Sequence, residues 1–119
     1  MSVESLEGRK CYEFGAAPGL TAEQIEAMLG QLDDGWKVVD VDGSNRIRRE
    51  WKVKDFMTGL EFFQRVAVIA EEQGHHPDLH LVGYHNVTIE MWTHTTNGLS
   101  DNDFIVAYLI DKLEAPASA

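Results

Sequence analysis

The chain has a single cysteine, three prolines and no long hydrophobic run among its 119 residues. Cys11 alone cannot form a disulfide within the chain, and the opening residues have no apolar core of the kind that a secretory signal requires. The apolar run over 105–110 is far shorter than the ~20 residues that a membrane-spanning helix needs. These absences predict a cytoplasmic protein with no membrane segment.

Positive charge is also scarce, because 10 Lys and Arg stand against 20 Asp and Glu and give a formal net charge of -10. A chain this acidic repels phosphate backbones, so direct nucleic-acid binding is disfavoured. Half of the basic residues nevertheless lie in one short stretch that consists of Arg46, Arg48, Arg49, Lys52 and Lys54. A solvated strand face explains this cluster, and a local basic patch is the alternative.

Helical spacing of apolar residues occurs in three places. The first follows a Thr-x-x-Gln capping box that begins at Thr21. The second extends over 56–73 and ends at Gly74. Its predicted inner stripe consists of Phe56, Leu60, Phe63, Ala67 and Ala70. The third begins at Ser100, whose spacing from Asp103 resembles a cap, and continues to 113.

Alternating patterns predict four strands, over 36–41, 47–54, 79–84 and 87–93, in two pairs that are each joined by a turn. If the last strand continues by one residue, His94 joins Trp92 on one face, because strand side chains repeat every two residues. The order helix, strand, strand, helix, strand, strand, helix predicts an α+β fold. We expect a four-stranded antiparallel sheet with three helices on one face.

The length fits one domain, which we predict over 21–114, with an N-terminal extension over 1–20 and a frayed tail over 115–119. Helices on one side leave the opposite sheet face or an edge strand uncovered. This arrangement favours self-association as a homodimer or homotetramer.

All five histidines lie within one 20-residue window, at His75, His76, His80, His85 and His94. Pro77 disfavours helical geometry at His76 and holds the neighbouring imidazoles in an extended turn. Histidine is the side chain that most readily gives and takes protons near neutral pH. The window is therefore the predicted site.

The run EEQGHHPDLHLVGYHNVTIEMWTHTTNGLSDNDF is similar to the signature region of the pterin-4a-carbinolamine dehydratases: a Glu, His-His-Pro, Thr-His, Gly-Leu-Ser and an Asp. The resemblance also reaches Gly35-Trp36 and Val53-Lys54-Asp55-Phe56. It implies an enzyme that eliminates water from a 4a-hydroxytetrahydropterin and gives the quinonoid dihydropterin in tetrahydropterin recycling. Such an enzyme requires no metal and no other cofactor.

By position in that pattern, the resemblance assigns catalysis to His75, His76 and His94 and substrate binding to Glu71, Pro77, Thr93 and Asp103. His80 and His85 fall outside the pattern and are expected at the surface. Structural explanations compete with these assignments, because His75 and His76 also fit exposed turn histidines and His94 fits a strand-end residue. Asp103 is equally explained as a helix cap, and Glu71 as a solvated helix residue. Trp36 is placed near the site by the resemblance, whereas a core position explains it equally well.

Two further functions compete with this reading. Several histidines together with Glu71 match zinc or iron ligand types, although Pro77 prevents a helical His-x-x-x-His arrangement. Relatives of the family also serve as dimerising partners of transcription factors, so a transcriptional cofactor or a pterin-binding module without catalysis is the alternative. Some similar sequences carry a Cys-x-x-Cys pair where this chain has only Cys11, which argues against a metal or disulfide role there.

Overall fold

A computed structural model describes residues 3–119 and contains one four-stranded antiparallel sheet with the strand order β1-β2-β4-β3. The helices and strands are, in chain order, α1 Ala22–Leu29, β1 Lys37–Val41, β2 Ser44–Lys52, α2 Phe56–Gln73, β3 Asp78–Val82, β4 Asn86–Met91 and α3 Asp101–Asp111. A short 3-10 turn at His94–Thr96 joins β4 to α3. The predicted α+β class and element order are confirmed.

The core lies between one face of the sheet and the helices. Ile47 of β2 stands opposite Met91 of β4 on that face, and both are fully buried. Phe62 of α2 and Phe104 of α3 belong to the same buried cluster. Trp36 also lies in the core, where its indole N–H donates to Asp111 at 2.8 Å. The core explanation of this tryptophan is therefore correct.

The inner stripe of α2 differs from the predicted one. The residues that α2 buries are Gly59, Phe62, Val66 and Ala70, whereas Phe56, Leu60 and Ala67 of the predicted stripe are exposed. Gly59 faces β3 so closely that an added Cβ atom would lie 3.0 Å from the side chain of Leu81. The helix is apolar on two sides, and the side with the glycine is the one that approaches the sheet.

Local signals fixed the helix ends. Thr21 and Gln24 form the capping box of α1, and Ser100 forms one with Asp103 at the start of α3. Gly74 ends α2 in the left-handed region with φ 66°, which a glycine adopts without the strain of a Cβ atom. The chain leaves α2 there and enters the extended turn that carries His75.

The C-terminal tail and the segment before α1 both contact the domain. The tail was expected to be frayed, but Lys54 donates its backbone N–H to Ala117 at 2.8 Å, and Ala119 donates to Lys52 at 3.2 Å. These bonds attach the tail to the end of β2, because the backbone there offers partners that the other strands do not use. At the other end, residue Gly19 forms a β-bridge with Ser100, next to the start of α3.

The sheet face away from the helices is polar. Arg48 of β2 donates to Glu90 of β4 at 2.6 Å, and Arg46 lies 3.4 Å from the same carboxylate. The stretch of basic residues is therefore divided, because Arg49 instead pairs with Asp111. None of the helices within residues 3–119 has the length and apolar character needed to cross a membrane.

Candidate active site

A cavity of about 420 Å³ opens where the C-terminal end of α2, the end of β4 and the N-terminal segment meet. It is lined by Phe14, Gly15, Ala17, Gly74, His75, His76, Trp92, Thr93, His94, Thr95 and Asn102. The size falls within the usual range of ~300–1,000 Å³ for small-molecule sites. The three histidines that the resemblance assigned to catalysis all face this one cavity.

His75 is oriented by a hydrogen bond to a buried carboxylate. Its Nε2 atom lies 2.7 Å from Oδ1 of Asp103, and the side chains are 13% and 0% exposed, respectively. A carboxylate accepts, so the neutral imidazole carries its proton on Nε2 and donates it to Asp103. Nδ1 is then the nitrogen of His75 that can take up a proton.

The second oxygen of Asp103 is also satisfied. It accepts from the Thr93 hydroxyl at 2.8 Å and from the Ser100 backbone N–H at 3.0 Å. Because the Thr93 hydroxyl donates to Asp103, the Ser100 hydroxyl, 2.7 Å away, is left to donate to Thr93. The start of α3 adds a favourable dipole for this carboxylate. Asp103 is thus a helix cap and a histidine partner at once.

His76 has a carboxylate partner in the opposite environment. Its Nε2 atom makes a short hydrogen bond with Oε2 of Glu71. The side chain of His76 is 62% exposed and that of Glu71 is 77% exposed. Water therefore competes for both groups, and the pair holds the imidazole at the mouth of the cavity without fixing it in the core.

His94 is held by aromatic contacts. Its ring lies 4.0 Å from the ring of Trp92 between centroids, and the guanidinium of Arg46 lies 4.4 Å over the same indole. The sequence predicted that Trp92 and His94 would be neighbours through a longer strand. The strand ends at Met91 instead, and the 3-10 turn that begins at His94 brings the rings together.

The remaining predicted residues lie around the cavity without lining it. Pro77 is half-buried, and Asp103 is fully buried in contact with His75. His80 is exposed on β3, and His85 is half-buried against the ring of Tyr84 in the next turn.

Neither a metal-binding cluster nor a reactive thiol is found in this region. Within residues 3–119, no three His, Cys, Asp or Glu side chains are placed to hold a metal ion. Burial raises the pKa of the Cys11 thiol to about 12, and the nearby negative charge of Asp103 contributes in the same direction. Cys11 is therefore a neutral thiol near neutral pH.

Several cavity residues were missed by the sequence interpretation, notably Phe14, Trp92 and Asn102. Phe14 and Asn102 are distant in sequence, and no pattern in the sequence joins the two segments. Trp92 had a signal, since strand alternation placed it on the same face as His94. Its role as a cavity wall was nevertheless not inferred.

The model of the Pterin 4 alpha carbinolamine dehydratase family matches residues 18–113. The chain belongs to the pterin-4a-carbinolamine dehydratase family. Membership in the pterin-4a-carbinolamine dehydratase family indicates an enzyme of the hydro-lyase class.

Individual relatives agree with this assignment. The chain is 44% identical over 115 residues to pterin-4-alpha-carbinolamine dehydratase 2, mitochondrial, of Arabidopsis thaliana, and this match covers 95% of the chain and 61% of the plant protein. A crystal structure of a transcriptional coactivator/pterin dehydratase from Brucella melitensis is similar with a TM-score of 0.68 and 34% identity. That match covers 78% of this chain and 95% of the Brucella chain.

Proposed function

We propose that this chain removes water from a 4a-hydroxytetrahydropterin by histidine acid–base catalysis and thereby returns the quinonoid dihydropterin to tetrahydropterin recycling. One observation carries the proposal. A single cavity is lined by one imidazole that a buried carboxylate orients, His75, and by two exposed imidazoles, His76 and His94. Family membership supplies the substrate class.

The reaction requires two proton transfers. The C4a–O bond breaks and the oxygen leaves as water, which needs a proton because hydroxide is a poor leaving group. The neighbouring N5 loses its proton, and its electron pair forms the new double bond to C4a. Imidazoles suit both transfers near neutral pH. The elimination of water involves no net oxidation or reduction of the substrate, so the step balances without a redox cofactor.

The geometry suggests different tasks for the site residues. His75 has Nδ1 free to accept a proton while Asp103 holds Nε2, and Thr93 steadies Asp103. His76 and His94 lie at the exposed side of the cavity, where they meet the substrate directly. Asp103 and Pro77 act through their neighbours, because neither lines the cavity.

The direct experiment mixes the protein with chemically generated 4a-hydroxytetrahydropterin and follows the ultraviolet change of dehydration. We expect catalysis above the spontaneous rate, and extensive chelation should leave that rate unchanged. Pterin binding without acceleration would favour the alternative of a binding module. Activity that a chelator abolishes and zinc restores would revive the metal site.

We also propose that two copies of the chain associate through α2 and β3. Phe56 and Met57 are 47% and 70% exposed on the outer side of α2, and Val82 is 64% exposed on the edge strand β3. An exposed apolar face beside an unpaired strand edge is typical of a surface that a second copy covers. Light scattering should give a mass at least twice 13.4 kDa, and Met57→Glu should lower it.

We further propose a cytoplasmic location and a transcription-factor partner. The free Cys11 agrees with a cytoplasmic setting, while the Arabidopsis relative carries the description mitochondrial. The Brucella protein is described as a transcriptional coactivator as well as a dehydratase. A transcription-factor partner is therefore compatible with catalysis and would be detected by co-purification of the intact chain.

A further inference from the structure

One wall of the cavity comes from a segment outside the family match. Phe14, Gly15 and Ala17 line the cavity, whereas the family model begins at residue 18. Residues 13–16 form a turn in which Ala16 donates its backbone N–H to the Glu13 carbonyl at 2.9 Å and Gly15 has φ 80°. The helices and sheet within the family match therefore do not by themselves complete this cavity.

This wall is attached to the elements that hold the imidazoles. Asn102, next to Asp103 in α3, accepts from the Tyr12 backbone N–H at 2.8 Å and donates to the Tyr12 carbonyl at 3.2 Å. Gln73, the last residue of α2, accepts from the Cys11 backbone N–H at 2.8 Å. The segment is thus fixed beside His75 by paired hydrogen bonds to buried or half-buried partners.

Phe14 is exposed to solvent at this wall and does not pack in the core. Its side chain is 90% exposed, although it lines a cavity that also contains three imidazoles. A single exposed aromatic residue is ordinary on a protein surface. An exposed ring on an anchored turn at a cavity wall is less common. It contributes little to the stability of the fold, and a planar ligand in the cavity would cover it.

We infer that Phe14 is a substrate-contacting residue that stacks on the ring face of the bound pterin and thereby strengthens its binding. The inference rests on the proposed function, since it takes the pterin as the ligand of this cavity. Contact with the ring face is made equally before and during water elimination. Phe14 should therefore affect KM and leave kcat nearly unchanged.

The test is steady-state dehydration by Phe14→Ala, Phe14→Leu and Phe14→Tyr variants. An aromatic contact of this kind corresponds to about a 3- to 10-fold change in binding, so KM should rise by that factor in Phe14→Ala. Phe14→Tyr keeps the ring and should retain the original KM. Phe14→Leu is apolar without a ring face and should resemble Phe14→Ala.

Tyr12→Ala provides the matched control, because Tyr12 is an exposed aromatic residue of the same segment that does not line the cavity. Its KM should stay unchanged, and circular dichroism of all variants should match the original chain. An unchanged KM in Phe14→Ala, or full binding by Phe14→Leu, would overturn the stacking role alone. A chain that neither binds nor dehydrates pterin before any substitution would overturn the proposed function and this inference with it.

Discussion

His75 and His76 are neighbours in the chain, and each contacts a carboxylate, yet the two pairs lie in opposite environments. The His75–Asp103 pair is almost wholly buried and shares its carboxylate with Thr93 and Ser100. The His76–Glu71 pair is mostly exposed at the mouth of the cavity. Histidine therefore has two tasks here, since the buried pair also stabilises the fold, whereas the exposed pair is available to the substrate.

The largest expected effect is on the rate of dehydration. His76→Ala and His94→Ala should each lower kcat by about 10²- to 10³-fold, because each removes a proton-transfer group while the neighbouring imidazoles partly substitute. The same variants should unfold at an unchanged urea concentration, since both side chains are exposed. Ultraviolet assays and urea titrations followed by circular dichroism measure the two quantities.

His85→Ala is the control for those variants, because His85 stacks on Tyr84 in the β3–β4 turn and does not line the cavity. It should dehydrate at the original rate. If His76→Ala and His94→Ala kept near-normal activity with unchanged circular dichroism, these two exposed histidines would not be the proton-transfer groups.

The next effect is on stability and concerns the two carboxylates. Asp103→Ala should lower the free energy of unfolding by about 1–3 kcal/mol for each buried donor that it leaves unsatisfied, and therefore by several kcal/mol in total. Glu71→Ala should lower it by ~1 kcal/mol at most, as is usual for an exposed pair. Urea unfolding of both variants at neutral pH measures the difference.

Asp103→Asn keeps the volume of the side chain and should cost less than Asp103→Ala, which serves to separate lost packing from lost charge. His75→Ala should also destabilise the chain, by about 1–3 kcal/mol, because it removes a donor from a buried acceptor. Equal costs for Asp103→Ala and Glu71→Ala would show that burial does not distinguish the two pairs.

This difference between the two histidines was beyond the sequence. The sequence predicted the element order, and the capping residues Thr21, Gly74 and Ser100 marked the helix ends correctly, because these signals are local. It also placed His75 and His76 together in a turn. Which of them points toward Asp103 depends on how α3 packs, and Asp103 lies 28 residues further along the chain.

The same limit explains the wrong stripe on α2. Two sets of residues in α2 repeat at helical spacing: the buried set, and the exposed set that includes Phe56, Leu60 and Ala67. Periodicity alone therefore could not tell which set faces the core. Gly59 determines which side of α2 faces the sheet, because its lack of a side chain allows the helix to approach Leu81 of β3. The wall formed by the N-terminal segment was missed for a similar reason, since its anchor Asn102 lies 90 residues from Tyr12.

The smallest expected effect concerns a third carboxylate, Asp55, which accepts two hydrogen bonds and is half-buried, whereas Asp103 accepts three and is fully buried. It caps α2 and accepts from the hydroxyl and the backbone N–H of Thr58 at 2.6 and 2.8 Å. The Thr58 hydroxyl, then its backbone N–H and the charge of Lys54, lower the pKa of Asp55 below its ordinary value. This carboxylate therefore lies between the buried Asp103 and the exposed Glu71 in its environment.

A lowered pKa in the folded state means that ionised Asp55 stabilises the fold at all pH values above its ordinary pKa of ~3.9. That contribution is lost as the pH falls from there through the lower folded pKa. Asp55→Asn remains a good helix cap but cannot ionise, so its stability deficit should be small at pH 7 and should shrink in acid. Urea unfolding between pH 7 and pH 2 measures the deficit, and Thr58→Ala, which removes the hydroxyl donor, should weaken its pH dependence. A deficit that stayed constant or grew in acid would show that the hydrogen bonds from Thr58 do not stabilise the charged form at this cap.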